Sequence, residues 1–361
     1  MDSSHETASY KPENLQALMT EKVEAAGGKM RFDAYMREHL FGREGYYTKR
    51  VEIGDTHYFG HGSEGIMPPG HFDTDASDKA FPLLLQLHFV AQGITGKDFL
   101  ELGGGNGSFK RNYLSTRPDT NYISVDSSPK LAVLQQTEGG HTILGSALNL
   151  PLRDGCIDGV VFSNELLDAL PCRVLKLASS VEGVRVDQEA YVVSGTDGLE
   201  FVYQPVKRDE FIIDYEKYLA ARHYDAEDGR VDSVSPLILR AFQEAARVLK
   251  PGGRAIFFDY GISRKYVHMK RDAEEFPYYY FRGFRGDIEG MLTAPYKTDI
   301  TYSVDFDYCG WLANRILPNA EVDYSPMHHL FRGVMENNPQ LNIQPSELVK
   351  PRGMGYIELA K

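Results

Sequence analysis

The sequence predicts an α/β fold organised on a parallel sheet, and three observations point there. Phe99-Leu100-Glu101-Leu102 is a short apolar run interrupted by one acid, which suits a buried strand. Gly103-Gly104-Gly105-Asn106-Gly107 follows as a turn almost without side chains, and Phe109 to Leu114 can begin a helix that packs back on the strand. Further short apolar runs then alternate with helical stretches: Tyr122 to Asp126, Thr142 to Leu144, Val160 to Phe162 and Ala255 to Phe258.

The glycine turn points to a ligand. In G-x-G-x-x-G dinucleotide sites a pyrophosphate rests on a helix N-terminus. Here the motif reads E-L-G-G-G-N-G, with Glu101 ending the strand and Gly103, Gly105 and Gly107 in the turn. An acid at that point repels a pyrophosphate but suits a cationic ligand such as the amino-acid end of S-adenosylmethionine. Asp126 ends the second strand, placed to accept both ribose hydroxyls. Gly145-Ser146-Ala147 forms a turn that can meet the adenine edge, Ser146 being the candidate contact. The strand Val160-Val161-Phe162 is expected at the centre of the sheet, and its carboxyl end delivers Asn164, Glu165 and Asp168. Open α/β sheets bind ligands at that end, so these groups are the candidates for chemistry. For Glu165 and Asp168 the competing expectation is capping of a helix starting near Leu166.

Totals narrow the function classes. A chain of 361 residues is long for one domain, and 42% hydrophobic residues support a sizeable core. A net charge of −12 argues against nucleic acid as a partner, because phosphate binding needs clustered Lys and Arg. Three cysteines, far apart and odd in number, suggest neither a disulfide frame nor a zinc site; reduced thiols and a cytoplasmic location are expected. No apolar stretch is long enough to span a membrane, and the first residues, MDSSHETASYKPENL, carry no apolar signal core and are not Arg-rich. His57, His61 and His71 with Asp55 and Asp73 match no metal-ligand spacing, so no metal is expected.

Along the chain, Asn14–Ala26, the stretch around Phe32–Leu40 and Asp78–Gln92 read as helices, so residues 1–95 are expected to form a helical lid segment. Residues 96–262 form the donor-binding core. Within it, 173–206 alternate apolar and polar residues around turns, as a β-meander inserted in the sheet order. Ser235-Pro236 is the expected N-cap pair of the helix that runs to LKPGG. Residues 263–361 form an acceptor-side segment: the aromatic run FPYYYFRGFRGD with Tyr278 to Tyr280, a helix bearing Trp311, and MGYIELAK as a final edge strand. The meander and the tyrosine-rich run offer surfaces for a homodimer.

Six blocks occur in an order that belongs to one family: GYYT (45–48), GHFDTDAS (70–77), LELGGGNGS (100–108), NELLDALP (164–171), FFDYG (257–261) and DITYSVDF (299–306). Together they resemble the MidA-like methyltransferases, a class I group that includes the mitochondrial complex I assembly factor. The resemblance implies a seven-stranded Rossmann-like sheet, S-adenosylmethionine as donor and, in the best-known members, a protein arginine as acceptor. It implies that Glu101, Gly103, Gly105 and Asp126 hold the donor, that Asn164, Glu165 and Asp168 face the acceptor, and that Thr74 and Tyr46 come from a segment closing over the cofactor. Where the family has a histidine before its D-[IL]-T block, this chain has Arg282, Arg285 and Asp287.

Methyl transfer from a sulfonium is an in-line displacement that needs alignment and water exclusion rather than a nucleophilic side chain. The sequence therefore leads first to O-methylation of a small organic acid, positioned by Arg282 and Arg285. Methylation of a protein arginine clamped by Glu165 and Asp168 is the close second. A nicotinamide-dependent oxidoreductase and a non-catalytic assembly protein on the same fold are the further alternatives. Glu101 with its glycine spacing opposes the first, and the retained glycines and Asp126 oppose the second.

Overall fold

The computed structural model describes residues 14–51, 80–180, 183–222, 229–263, 288–317, 322–341 and 354–361. Thr74, the loop histidines, Tyr278 to Tyr280, Arg282 and Arg285 lie outside the described residues.

In chain order the amino-terminal elements are α1 (Asn14–Ala25), β1 (Lys29–Arg31), α2 (Phe32–Phe41), a π-helical turn (Tyr46–Arg50) and α3 (Ala80–Ala91). The parallel core follows: β2 (Asp98–Leu102), α4 (Ser108–Thr116), β3 (Asn121–Asp126), α5 (Pro129–Gln136), β4 (His141–Leu144) and β5 (Gly159–Asn164). Next come β6 (Arg173–Ser180), β7 (Gly183–Gly195), β8 (Gly198–Pro205), α6 (Glu210–Ala221) and β9 (Val231–Val234). The chain returns through α7 (Ile238–Val248), β10 (Arg254–Ile262), α8 (Ile288–Thr293), β11 (Val304–Asp305), α9 (Phe306–Ile316), β12 (Val322–Pro326), α10 (Met327–Glu336) and β13 (Met354–Ala360).

The main sheet runs β12-β13-β10-β5-β2-β3-β4, with β11 paired briefly to the end of β10. Pairs from β10 to β4 are parallel, and only β13 runs antiparallel to both of its neighbours. Its seven-strand path matches the sheet that the resemblance implies. Strand alternation divides its core. Phe99, Val160, Phe162, Ile256 and Phe258 face one side, where they pack with Phe81, Phe109 and Phe331; Leu100, Val161, Ala255 and Phe257 face the other. Aromatic contacts knit the first side, with Phe109 stacked on Phe162 at 4.3 Å and Phe81 edge-on to Phe258 at 5.3 Å.

Four expectations are corrected. The meander does not enter the main sheet: β6, β7, β8 and β9 form a second sheet, and β1 joins it by pairing Lys29–Arg31 with Tyr191–Val193. The two runs read as separate strands, GVRV and AYVVS, are one strand of 13 residues that pairs with β6 in its first half and with β1 and β8 in its second. MGYIELAK is no edge strand, since β12 covers its far side. Its burial on both faces explains why it reads as a near-continuous apolar run. The residues after Pro236 start their helix later than expected, at Ile238, without a side-chain cap. The buried Ser235 instead donates to the Pro171 carbonyl at 2.8 Å and accepts from the Leu237 N–H at 3.2 Å, tying the entry of α7 to the loop after β5.

Candidate active site at the carboxyl end of the sheet

A cavity opens where β2, β3 and β5 end, bounded also by Phe41, Tyr47 and Val51 from the amino-terminal segment and by Asp299 and Thr301 from the chain leading into β11. Glu101, Gly103, Gly104, Gly105, Asp126, Asn164, Glu165 and Asp168 all line it. The sheet order explains the convergence: β3, β2 and β5 are consecutive neighbours, so residues distant in sequence emerge side by side.

The glycine turn is shaped by two needs. Gly103 sits at φ +72°, which L side chains adopt only with strain, and lets the chain reverse off β2. Gly104 is needed for space: a Cβ there would lie 2.6 Å from Glu101 Oε2. Gly107 stands back from the cavity as the N-cap of α4.

Glu101 is buried, and its Oε2 accepts from the Tyr122 hydroxyl at 2.8 Å. Burial pushes its carboxyl up to about 7, against the Tyr122 hydrogen bond and the Lys110 charge, which both favour ionisation. Asp126 accepts from the Ser128 N–H and from Gln135 Nε2, each at 2.8 Å, and burial raises it to about 6. Gln135 also donates to the Gly105 carbonyl at 2.9 Å, so one side chain couples the glycine turn to the end of β3. The Gln135 backbone carbonyl is held at 3.1 Å by the buried Lys110 ammonium, which also reaches Thr142 Oγ1 at 2.9 Å. Sequence reasoning missed Gln135, because a glutamine on a helix carries no motif.

The N-E-L-L-D stretch forms no helix, so capping does not account for its acids. Glu165 turns at φ +54°, a conformation costing a non-glycine residue roughly 1–2 kcal/mol, while its N–H continues the β5–β10 pairing to the Phe258 carbonyl at 2.9 Å. Asp259 holds the loop: its Oδ2 accepts from the N–H groups of Leu167 and Asp168 at 2.8 and 3.2 Å. The Tyr302 hydroxyl donates to the Leu167 carbonyl at 2.7 Å. The fifth and sixth family blocks, FFDYG and DITYSVDF, thus serve one loop, which carries Asp168 into the cavity.

Tyr47 joins the two ends of the site. Its carbonyl accepts from Ser128 Oγ at 2.6 Å, and its hydroxyl donates to Asp299 Oδ2 at 2.8 Å. Tyr46, the residue the sequence suggested, is buried beside it with ring centroids 5.2 Å apart and does not line the cavity. Ser146 also stays outside the lining, its Oγ accepting from the Leu148 N–H at 3.1 Å, while neighbouring Ala147 reaches the wall. Among the described lining residues the charged groups are Glu101, Asp126, Glu165, Asp168 and Asp299, with no Lys, Arg or His. Asn164 Oδ1, Asp299 Oδ1 and Thr301 Oγ1 are shielded from solvent without a hydrogen-bond partner, a state that costs about 1–3 kcal/mol per group.

Residues 86–319 match a family described as "Putative S-adenosyl-L-methionine-dependent methyltransferase". No curated protein matches the sequence significantly. Among solved structures, an uncharacterized protein from Burkholderia thailandensis is 20% identical, with 97% of this chain and 92% of that one covered at a TM-score of 0.68. A methyltransferase from Thermotoga maritima, titled a possible histamine N-methyltransferase, is 14% identical over 81% of this chain and 93% of that one, at a TM-score of 0.37. The glycine cradle, kept clear beside a buried acid, and the carboxylate of Asp126 at the end of β3 fit S-adenosylmethionine, the cofactor of this enzyme class. The family match and the sheet order fit the MidA-like class I resemblance, and the chain belongs to this family of S-adenosyl-L-methionine-dependent methyltransferases.

Proposed function

We propose that the enzyme methylates a nitrogen of a cationic acceptor, with a guanidinium such as a protein arginine as the best fit. One observation carries this reading: every charged side chain among the described lining residues is a carboxylate. A carboxylate acceptor would meet like charge from Glu165, Asp168 and Asp299, whereas a guanidinium would meet acceptors of opposite charge. The order of acceptors suggested by the sequence is therefore reversed. Arg282 and Arg285, which favoured an organic acid, lie outside the described residues.

In this reading Glu101 and the turn at Gly103–Gly105 hold the amino-acid end of the donor, and Asp126 takes the ribose. Bound S-adenosylmethionine supplies a sulfonium methyl group for in-line displacement. Glu165 and Asp168 orient the guanidinium so that one nitrogen lone pair faces that methyl carbon, and Phe41, Val51 and Leu166 exclude water. As the C–N bond forms and the S–C bond breaks, the nitrogen loses a proton to a lining carboxylate and thence to solvent. Cys172 and Cys309 are buried and free, which supports a reducing, cytoplasmic setting. The test is incorporation of labelled methyl from the donor into arginine-containing peptides, lysine-containing peptides and a panel of small organic acids. Arginine peptides are expected to be methylated; labelling of the acids alone would overturn the reading.

A further inference from the structure

Asp299 and Thr301 belong to no strand or helix, yet their placement is tightly held. His39 of α2, buried and pushed down to about 4 by burial, accepts from the Tyr296 N–H at Nδ1 (3.3 Å) and donates from Nε2 to the Thr298 carbonyl (2.7 Å). Tyr296 itself lies at φ +66°, so a strained turn is pinned three residues before Asp299. Ile300 and Tyr302 are buried in the core, which leaves Asp299 and Thr301 facing the cavity in alternation.

Along the carboxyl edge of the sheet the lining residues follow strand order: Asp126 on β3, Glu101 on β2, Asn164 at the end of β5, then Asp299 and Thr301 before β11, beyond β5. The last pair precedes β11, which pairs with β10 on the side of β5 away from β3. Thr301 lines the cavity and is only 5% exposed, and its shielded hydroxyl has no partner. Asp299 spends Oδ2 on Tyr47 and keeps Oδ1 unpaired; Asn164 spends Nδ2 on Glu165 at 3.1 Å and keeps Oδ1 unpaired. Three shielded oxygens, from two segments far apart in sequence, therefore meet in one cavity with acceptor capacity unused. Protein interiors pair such groups almost always, and a ligand with several N–H donors would satisfy all three.

We propose that Asp299 and Thr301, together with Asn164, form the acceptor-recognition wall of the enzyme, taking the N–H groups of a guanidinium or alkylammonium. The inference rests on the nitrogen-acceptor reading above and adds specificity-determining residues to the site. Glu165 and Asp168 then hold the reacting nitrogen, while the Asp299 wall takes the other donors. Tyr47 orients Asp299 through its hydroxyl.

The experiment is calorimetric titration of the protein, saturated with S-adenosylhomocysteine, with N-acetylarginine amide, N-acetyllysine amide and N-acetylglycine. It is run on the wild type, Asp299→Asn and Thr301→Val. Both substitutions preserve shape, and Asn can still accept from Tyr47. The wild type is expected to bind a cationic probe, with a loss of about tenfold in D299N and about fivefold in T301V, the worth of one charged and one neutral hydrogen bond. Affinity for S-adenosylhomocysteine should stay within about twofold in both, since hydrogen bonds to the acceptor alone are removed. Cation binding that is equal in all three proteins overturns the wall and leaves the nitrogen-acceptor reading standing. Binding of the lysine probe alone, weakened in the variants, supports the wall and removes the guanidinium. Binding of N-acetylglycine and of neither cation overturns both. Should D299N fail to fold, T301V decides, because a buried Thr→Val change keeps the packing.

Discussion

At the scale of single residues, Glu165 holds a backbone conformation that its side chain does not favour. Non-glycine residues at positive φ concentrate where a fold trades stability for placement. Glycine at this position would remove roughly 1–2 kcal/mol of strain and give back about 0.5–1 kcal/mol to the entropy of the unfolded chain. Glu165→Gly is therefore expected to be as stable as the wild type, or up to about 1 kcal/mol more stable, while losing turnover. Denaturant unfolding and a methyl-transfer assay would measure the two sides. A clear drop in stability would mean that the Glu165 side chain contributes more through its contacts than its backbone costs. The residue was legible in N-E-L-L-D as a candidate, but its strain was not, because nothing in the sequence announces where a strand ends in a left-handed turn.

Between elements, the consequential partner is Asp259, on β10 just past its last pairing with β5 and wholly buried. Three N–H groups converge on it: those of Leu167 and Asp168, and that of Tyr260 at 2.8 Å. Asp259→Asn replaces one acceptor oxygen by an NH2 group facing a donor. It should cost about 1–3 kcal/mol of stability and release the loop that carries Asp168, reducing turnover more than cofactor affinity. Unfolding curves and titration with S-adenosylhomocysteine would check it, and a variant as stable and as active as the wild type would refute the anchoring role. In the sequence Asp259 is only a member of the FFDYG block. Which loop it serves depends on β10 lying next to β5, a fact of sheet order that local pattern does not contain.

For the whole molecule, the acidic lining couples cofactor binding to pH. Glu101 and Asp126 are raised by burial to about 7 and about 6. Carboxyls whose pKa is higher in the folded state favour folding most below the ordinary carboxylate range, and that contribution is lost as pH rises through 6 to 7. A cationic donor favours their ionised forms, so affinity for S-adenosylmethionine should rise between about pH 5.5 and 8, with protons released on binding. Calorimetry near neutral pH in two buffers of different ionisation enthalpy would detect the release. Tyr122→Phe removes a hydrogen bond that lowers the Glu101 pKa, so it should move the profile to higher pH. A flat profile without proton release would sink this coupling.

What the sequence by itself determined is what depends on short-range pattern. Apolar runs with period two define the strands, glycines define the turn after β2, and acids stand at strand ends; these suffice for the α/β class and for the candidate residues of the glycine turn, Asp126 and the Asn164-Glu165-Asp168 loop. What only the tertiary structure decided is what depends on which elements become neighbours. The second sheet exists because β7 is long enough to pair with β1, β6 and β8 at once. Asp299 and Thr301 reach the site because His39, some 260 residues earlier, holds the turn before them. Long-range pairing is a property of packing and not of composition. The glycine turn and Asp126 could therefore be read from one stretch of chain, whereas Tyr47, Asp168 and Asp299 meet only through the fold.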